Sequence, residues 1–314
     1  MVGLAEIDAA TARIAGRIHR TPLLSATSLG RMAGGSRLSL KAELFQKTGS
    51  FKVRGVLNYL GALSPEQLQR GLITLSAGNH GAALAWAAAA ARSHATVVMP
   101  ATAVASKVDA IKGYGGVVVQ TDGPLLDTCT ALRDSRKLTL VHPFDDPAII
   151  AGHGSAGTEI LQDAPDLDTV IVPIGGGGLI AGIAAAIKQR RSSVRVIGVE
   201  PRSSDVMSRS LAAGEPVSMK GSTVADGLNA PFAGAHTLAH VQAFVDEVVL
   251  VDDEDILRAM RLIVERAKLA PEPAGAAAYA ALLTGAVKVT AGAHVVCLVS
   301  GGNVDPAVMR KALS

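Results

Sequence analysis

Short runs of β-branched and aliphatic residues alternate along the chain with longer segments of helical length that are amphipathic or rich in alanine. Nine of these runs have the composition of strands, and they comprise residues 37–42, 72–75, 96–99, 117–120, 139–141, 169–174, 194–199, 248–251 and 294–299. Strands that alternate with helices are typical of parallel sheets covered on both faces. The pattern therefore predicts an α/β protein whose strands are mostly parallel.

The same pattern predicts two α/β units. Residues 72–147 form the smaller unit, and residues 1–71 and 148–314, from the two ends of the chain, form the larger one. In the larger unit, the acids Asp252 and Asp255 are typical of a helix start, and we expect that helix to run to about Leu269, before Pro271.

The apolar content of the chain consists mainly of small side chains. Hydrophobic residues make up 49% of the sequence and aromatic residues only 3%, while glycine occurs 33 times. We therefore expect a core in which backbones approach each other closely.

Charge and composition exclude several classes of partner. Lys and Arg number 30 against 27 Asp and Glu, a net charge of +3 that is too balanced for a nucleic-acid-binding surface. The most apolar helical stretch, residues 82–91, is shorter than the roughly 20 residues that a bilayer requires. The two cysteines, Cys129 and Cys297, fit neither a disulfide framework nor a zinc motif. We expect a cytoplasmic protein that binds neither nucleic acid nor membrane.

Four consecutive glycines, residues 175–178, stand between a predicted strand and a predicted helix. Such a run lets backbone N–H groups point into one concavity at a helix N-terminus, which is a site for phosphate. The spacing Gly176-x-Gly178-x-x-Ala181, with Glu200 after the next strand, also fits a dinucleotide-binding oxidoreductase. The glycines alone leave both interpretations open.

Lys52 stands where a loop turns into a predicted helix, directly after Phe51. The positive end of a helix and partial burial both disfavour a charged ammonium, and both favour the neutral amine that Schiff-base chemistry requires. Two other polar turns follow predicted strands, Ser76-Ala-Gly-Asn-His80 and Ser300-Gly-Gly-Asn303. Ligands of open α/β sheets bind at such positions, and the first turn suits a carboxylate.

Together these residues resemble a known family. Gly-Ser-Phe-Lys52-x-Arg-Gly, Ser-Ala-Gly-Asn79-His-Gly, Gly175-Gly-Gly-Gly-Leu and Ser300-Gly-Gly-Asn occur in the order and spacing of fold-type II pyridoxal-phosphate enzymes. The chain looks like the threonine/serine dehydratase (ammonia-lyase) and serine racemase branch from about residue 21 to residue 303. The resemblance implies two open, twisted, mostly parallel sheets of the tryptophan-synthase-β type, with pyridoxal 5'-phosphate between a large domain and a small mobile one. The resemblance therefore favours a pyridoxal-phosphate enzyme over a dinucleotide-binding oxidoreductase.

The resemblance also implies a role for each matching residue. Lys52 would bind the cofactor covalently and act as the base that removes the α-proton, and Phe51 would pack on the pyridine ring. Asn79 would donate a hydrogen bond to the phenolic oxygen of the cofactor, and Ser300 would face the pyridine nitrogen. The phosphate would be bound by Gly175, Gly176, Gly177, Gly178 and Leu179, and the substrate carboxylate by Ser76, Ala77, Gly78, Asn79 and His80. Glu272 and Gly227 are further candidates near the cofactor.

Two positions depart from the family pattern. Ala77 stands where racemases of this branch carry a serine that acts as acid and base on the opposite face, and alanine has no proton to give. A site for Mg²⁺ or another divalent cation would use Glu200 and the carbonyl of Ser204, but Val206 stands where a carboxylate is expected. The resemblance therefore leaves cation binding open.

The activity that this resemblance implies is the deamination of L-threonine, L-serine or both. Elimination of the β-hydroxyl would give a 2-oxo acid and ammonia, and we expect little racemisation. The alternatives are a dehydratase for another β-hydroxy amino acid (3-hydroxyaspartate or a bulkier one), a β-replacement synthase and a racemase. By resemblance, the enzyme is expected to be a homodimer that acts on a small-molecule amino acid.

Overall fold

Ten strands form two separate sheets in the computed structural model, which describes residues 1–76 and 78–314. The strands are β1 (Leu23–Ser25), β2 (Arg37–Ala42), β3 (Leu72–Leu75), β4 (Ala95–Pro100), β5 (Val117–Thr121), β6 (Thr139–Leu140), β7 (Thr169–Pro173), β8 (Arg195–Pro201), β9 (Glu247–Val251) and β10 (His294–Val299). The larger sheet has the order β1-β2-β10-β7-β8-β9 and the smaller one β5-β4-β3-β6. Within these ranges, every strand pair is parallel except β1 with β2. The predicted α/β class with mostly parallel sheets is confirmed.

Helices connect the strands and cover both sheets. They are α1 (Leu4–Ile14), α2 (Thr27–Met32), α3 (Lys52–Leu60), α4 (Pro65–Arg70), α5 (Asn79–Ala90), α6 (Ala105–Gly113), α7 (Leu125–Arg136), α8 (Pro147–Asp163), α9 (Gly178–Lys188), α10 (Val206–Ala213), α11 (Ala235–Phe244), α12 (Asp253–Leu262), α13 (Pro273–Leu283) and α14 (Pro306–Leu313). In the part of the chain that the structure describes, none of them is long and apolar enough to cross a membrane.

The nine predicted strands are present, and their ends agree within two residues. The strand that sequence reasoning missed is β1, which has only three residues and pairs antiparallel at the edge of the larger sheet. The helix expected to run to about Leu269 ends its α-helical part at Leu262 and continues as a π-helical turn over Ile263–Ala267.

The four strands of the smaller sheet all lie between residues 72 and 140, and the larger sheet uses chain on both sides of that stretch. The division into domains at residues 71/72 and 147/148, and the mobility of the smaller domain, stay predictions.

Closely spaced helices in the core confirm the expectation drawn from composition. A Cβ atom on Gly182 of α9 would lie 2.3 Å from the carbonyl oxygen of Ile150 in α8, and one on Gly157 would lie 2.9 Å from the Cβ of Ala186. On another face of α8, a Cβ on Gly152 would lie 2.5 Å from the carbonyl oxygen of Arg54. Helix α8 therefore packs backbone against backbone on both α3 and α9.

A buried network of ions anchors the start of α3. The guanidinium of Arg54 is fully buried and donates paired hydrogen bonds of 2.8 Å to Glu43 and to Glu159. Lys41 of β2 donates to Glu159 at 2.6 Å and to the carbonyl oxygen of Thr21 at 2.8 Å. Burial opposes ionisation of Glu43, but Arg54 and Lys41 outweigh that effect and hold the pKa of this carboxyl below its usual value. The two cations and two anions thus compensate each other and tie β2, α3 and α8 together.

We predict that Arg54→Leu lowers the free energy of unfolding by about 3–5 kcal/mol, because the buried Glu43 would lose its paired cation and the buried Glu159 would keep only Lys41. Urea denaturation measures this change. The matched control is Arg20→Ala, which removes an exposed ion pair with Asp163 and should cost at most about 1 kcal/mol. Equal losses in the two variants would contradict the structural role of the network.

Candidate active site

Several polar loops meet at the carboxyl ends of the larger sheet's strands. The loop before α3 and the loop after β10 are joined by backbone hydrogen bonds from Phe51 N–H to the Ser300 carbonyl (3.1 Å) and from Gly302 N–H to the Gly49 carbonyl (2.9 Å). Because β7 lies next to β10, the glycine run after β7 opens at the same edge. Parallel strands thus bring together three motifs that are distant in the sequence.

Lys52 is the first residue of α3, and its side chain is partly buried. Its Nζ lies 2.8 Å from the carbonyl oxygen of Pro143, to which it donates, and 5.1 Å from the centre of the Phe51 ring. Burial lowers the pKa of Lys52 to about 8, against an opposing effect of the Glu272 carboxylate. A downward shift of this size raises the neutral fraction of the amine near pH 7 by roughly two orders of magnitude.

Three histidines lie around Lys52. His80 approaches the carbonyl oxygen of Val141 through Nε2 at 3.2 Å, and His142 accepts the backbone N–H of residue 145 through Nδ1 at 2.8 Å. The ring of His153 packs edge-on against Phe51 with centres 4.8 Å apart. Burial, with a further effect of the Lys52 charge, lowers the pKa of each histidine, that of His80 to about 3. All three are therefore neutral at physiological pH and add no positive charge beside the lysine.

The glycine run forms a tight turn into α9. Gly177 has φ +90° and precedes the helix, and a Cβ on Gly176 would lie 2.4 Å from ring carbons of Phe144. Among the residues that the structure describes, no backbone amide from Gly175 to Leu179 donates a hydrogen bond to another residue. Unpaired amides at a helix N-terminus are the donor set that a phosphate requires.

Asn79 connects two other parts of the site. Its Nδ2 donates to Glu272 Oε1 at 2.7 Å, and its Oδ1 accepts a hydrogen bond from Asn303 Nδ2 at 2.8 Å. Glu272 directly precedes α13, and burial together with the charge of Asp226 raises the pKa of its carboxyl to about 8. Gly227 lies beside Glu272, because a Cβ on this glycine would be 3.8 Å from Glu272 Oε1.

The residues predicted for the substrate carboxylate lie where the chain passes from β3 into α5. Ser76 Oγ accepts the backbone N–H of Gly78 at 3.2 Å, and Asn79 and His80 open α5. Ala77, predicted for the same role, lies outside the described residues. The buried hydroxyls of Thr48 and Ser50, for which no partner is found in residues 1–76 and 78–314, were missed by sequence reasoning because they belong to no recognised motif.

Other contributors escaped sequence reasoning. Pro143 and His142 lie in the loop after β6. Because this strand was predicted, their position at its carboxyl end could have identified them as site candidates. His153 lies within α8 and carries no such signal, and neither of its ring nitrogens has a partner in the described part of the protein.

Glu200, one of the two residues predicted to bind a divalent cation, accepts hydrogen bonds from α10, and cation binding there stays a prediction. Glu200 Oε1 accepts the N–H of Met207 at 2.8 Å, and Oε2 accepts the N–H and the hydroxyl of Ser208 at 2.8 and 2.7 Å. The carboxylate thus binds the first turn of α10. The predicted ligand at Ser204 is its backbone carbonyl, and its hydroxyl donates to the Leu228 carbonyl. In residues 1–76 and 78–314, no group of three or more acidic, histidine or cysteine side chains suited to a metal occurs.

Known proteins are similar to this chain in both sequence and fold. A family model described as pyridoxal-phosphate dependent enzyme matches residues 14–301. A serine racemase from Oryza sativa subsp. indica is 40% identical over 315 residues, which cover 98% of this chain and 92% of the relative. A catabolic L-threonine dehydratase, TdcB, from Staphylococcus aureus is 42% identical over 311 residues, which cover 97% and 90%. The solved structure of maize serine racemase has a TM-score of 0.94 at 39% identity and covers 99% of this chain and 97% of its own.

The fold and the loops at its strand ends are those of a fold-type II enzyme that uses pyridoxal 5'-phosphate as its cofactor. The chain belongs to the pyridoxal-phosphate-dependent family that includes serine racemases and threonine dehydratases. The resemblance drawn from the four motifs is confirmed at this level. The two activities of the relatives are not separated by identity, which is 40% for the racemase and 42% for the dehydratase.

We predict that Gly176→Ala weakens pyridoxal phosphate binding at least about tenfold, a loss of about 1.4 kcal/mol. The added methyl group would collide with Phe144 and force the glycine turn to move. Titration of the apoenzyme with the cofactor, followed by absorbance, measures the effect. Gly113→Ala is the control, since a Cβ there meets no atom within 4 Å. Equal affinities in the two variants would show that the turn is not the phosphate site.

We predict that stability falls as the pH drops below about 6.5, the ordinary pKa of histidine. The unfolded chain then takes up protons at His80 and His153 while the folded protein does not, because both pKa values are lowered in the fold. Each histidine should contribute a loss of about 1.4 kcal/mol per pH unit. Urea denaturation at several pH values should show a shallower decline in His153→Gln. The exposed His94→Gln is the control, and identical slopes in the two variants would contradict the prediction.

Proposed function

We propose that this enzyme deaminates L-threonine, L-serine or both by eliminating the β-hydroxyl, and that it releases ammonia and a 2-oxo acid. The observation that carries the proposal is the environment of Lys52. Its pKa is lowered to about 8, and the neighbouring histidines are neutral. This arrangement supports one base acting on one face of the substrate.

When bound, pyridoxal phosphate supplies an aldehyde for the substrate amine and a ring that stabilises negative charge at Cα. The unpaired amides of Gly175–Leu179 are suited to bind its phosphate, and Phe51 offers a flat apolar surface close to Lys52. The hydroxyl of Ser300, which is a neutral group, is the candidate to face the pyridine nitrogen.

Lys52 is suited to hold and move the α-proton. Its free amine donates to the Pro143 carbonyl, which holds it near the Phe51 ring. Loss of the α-proton and the β-hydroxyl removes one molecule of water. The unsaturated amine that leaves the enzyme takes up one water and releases ammonia, so atoms balance and the 2-oxo acid remains.

The substrate carboxylate is expected at the start of α5. Backbone amides at that helix N-terminus and the hydroxyl of Ser76 provide donors. The buried hydroxyls of Thr48 and Ser50, in the loop before Lys52, have no partner among the described residues and are two further candidate donors. The carboxylate and the amine are common to all amino-acid substrates. The preference for one β-hydroxy amino acid therefore depends on contacts with the substrate side chain.

Racemisation of serine is the second candidate activity, and the racemase relative at 40% identity favours it. Racemisation requires an acid that returns a proton to the face opposite Lys52. Residue 77 is alanine, which has no ionisable side chain, and this favours elimination.

We predict that 2-oxo acid forms from L-threonine or L-serine at least ten times faster than D-serine forms from L-serine. A panel of these substrates and 3-hydroxyaspartate, analysed for ammonia, 2-oxo acid and enantiomers, measures the ratio. Lys52→Ala should lose ammonia release and the visible absorbance of the bound cofactor. Lys47→Ala, at an exposed lysine in the same loop, should keep both. Faster D-serine formation, or full turnover without Lys52, would overturn the proposal.

A further inference from the structure

Asn79 lies in a chain of side-chain amides that ends on a backbone carbonyl. Asn303 Nδ2 donates to the carbonyl oxygen of Thr48 at 2.7 Å and to Asn79 Oδ1 at 2.8 Å. Asn79 Nδ2 in turn donates to Glu272 Oε1 at 2.7 Å. The chain thus runs from the loop before α3, through the loop after β10, to the start of α13.

The direction of these hydrogen bonds is set at the Thr48 end. A backbone carbonyl can only accept, so the amide of Asn303 must turn Nδ2 toward it. The second hydrogen of the same nitrogen then meets Asn79, which must present Oδ1. Asn79 consequently turns its own Nδ2 toward Glu272.

Glu272 cannot set this direction by itself. A protonated carboxyl group donates as well as accepts, so it would tolerate either orientation of the Asn79 amide. Burial raises the pKa of Glu272 to about 8, which makes the protonated form abundant at neutral pH. The orientation therefore depends on the partner at the other end of Asn79.

We infer that Asn303 is a positioning residue that fixes the orientation of the Asn79 amide, so that Asn79 keeps one Nδ2 hydrogen free to donate to the phenolic oxygen of the cofactor. In the described part of the protein, Asn79 Nδ2 makes one hydrogen bond, to Glu272, and an amide nitrogen carries two hydrogens. The inference rests on the role toward the cofactor that the family resemblance implies for Asn79.

The surroundings of Asn303 hold it in place. A Cβ on Gly49, which has φ +75°, would lie 2.3 Å from Asn303 Oδ1, so the two loops leave no room for a side chain there. The backbone N–H of Gly302 donates to the Gly49 carbonyl at 2.9 Å. Residue 303 itself is exposed, so its replacement leaves no buried cavity and the variants are expected to fold.

The test compares Asn303→Asp with Asn303→Leu in the holoenzyme. A carboxylate at this position can only accept, so Asn79 would reverse and present Oδ1 to the cofactor oxygen. Leucine removes the constraint without imposing the reverse orientation. We expect the dissociation constant of pyridoxal phosphate to rise about tenfold in Asn303→Asp and less in Asn303→Leu, and the visible absorbance band of the bound cofactor to shift in the same order.

Thermal unfolding of both apoenzyme variants verifies that they fold. Wild-type absorbance bands in both variants would overturn the inference, and so would weaker binding in Asn303→Asp with an unchanged band, because that result reflects added negative charge alone. The readouts concern the bound cofactor and not the product. If the enzyme proved to be a racemase, the proposed function would fail while this inference would still stand or fall on the spectra.

Discussion

The buried ion network around Arg54 is the interaction on which the position of Lys52 depends. Arg54 follows Lys52 by two residues in α3, so the network holds one side of the helix while the lysine projects from another. Glu43 connects this anchor to the end of β2, and Glu159 connects it to α8. The first turn of α3, and with it the Lys52 amine, is therefore fixed relative to the sheet whose strand ends form the candidate site.

The groups around the Lys52 amine carry little uncompensated positive charge. Cations are placed where carboxylates compensate them, as in the pair of Lys41 and Glu159, and the histidines nearest Lys52 stay neutral because they are buried. We propose that attraction for the cofactor phosphate comes instead from backbone amides at the start of α9. A small anion can thus be bound without a cationic surface, in agreement with the nearly balanced charge of the chain.

Much of the fold could be predicted because most strands are runs of β-branched and aliphatic residues and several helices have a start signal, such as Asp252. The three-residue β1 has too little pattern to be found. Site residues within motifs at strand ends were predictable, since strand direction alone places them at one edge. His153 was not, because its contact with Phe51 depends on how α8 packs against α3. The hydrogen bonds of Glu200 to α10 were not predictable for a similar reason, since they depend on the direction in which α10 leaves the sheet.

The seam between α8 and α9 has a consequence for the variation that this protein can tolerate. At Gly182 a single methyl group would lie 2.3 Å from a backbone carbonyl oxygen, and a backbone cannot move aside as a flexible side chain can. A larger side chain on one helix can therefore be accommodated at this seam only if the other helix carries a smaller one. Substitutions that persist there are expected to occur in pairs, one on each helix, whereas single substitutions accumulate on the exposed faces.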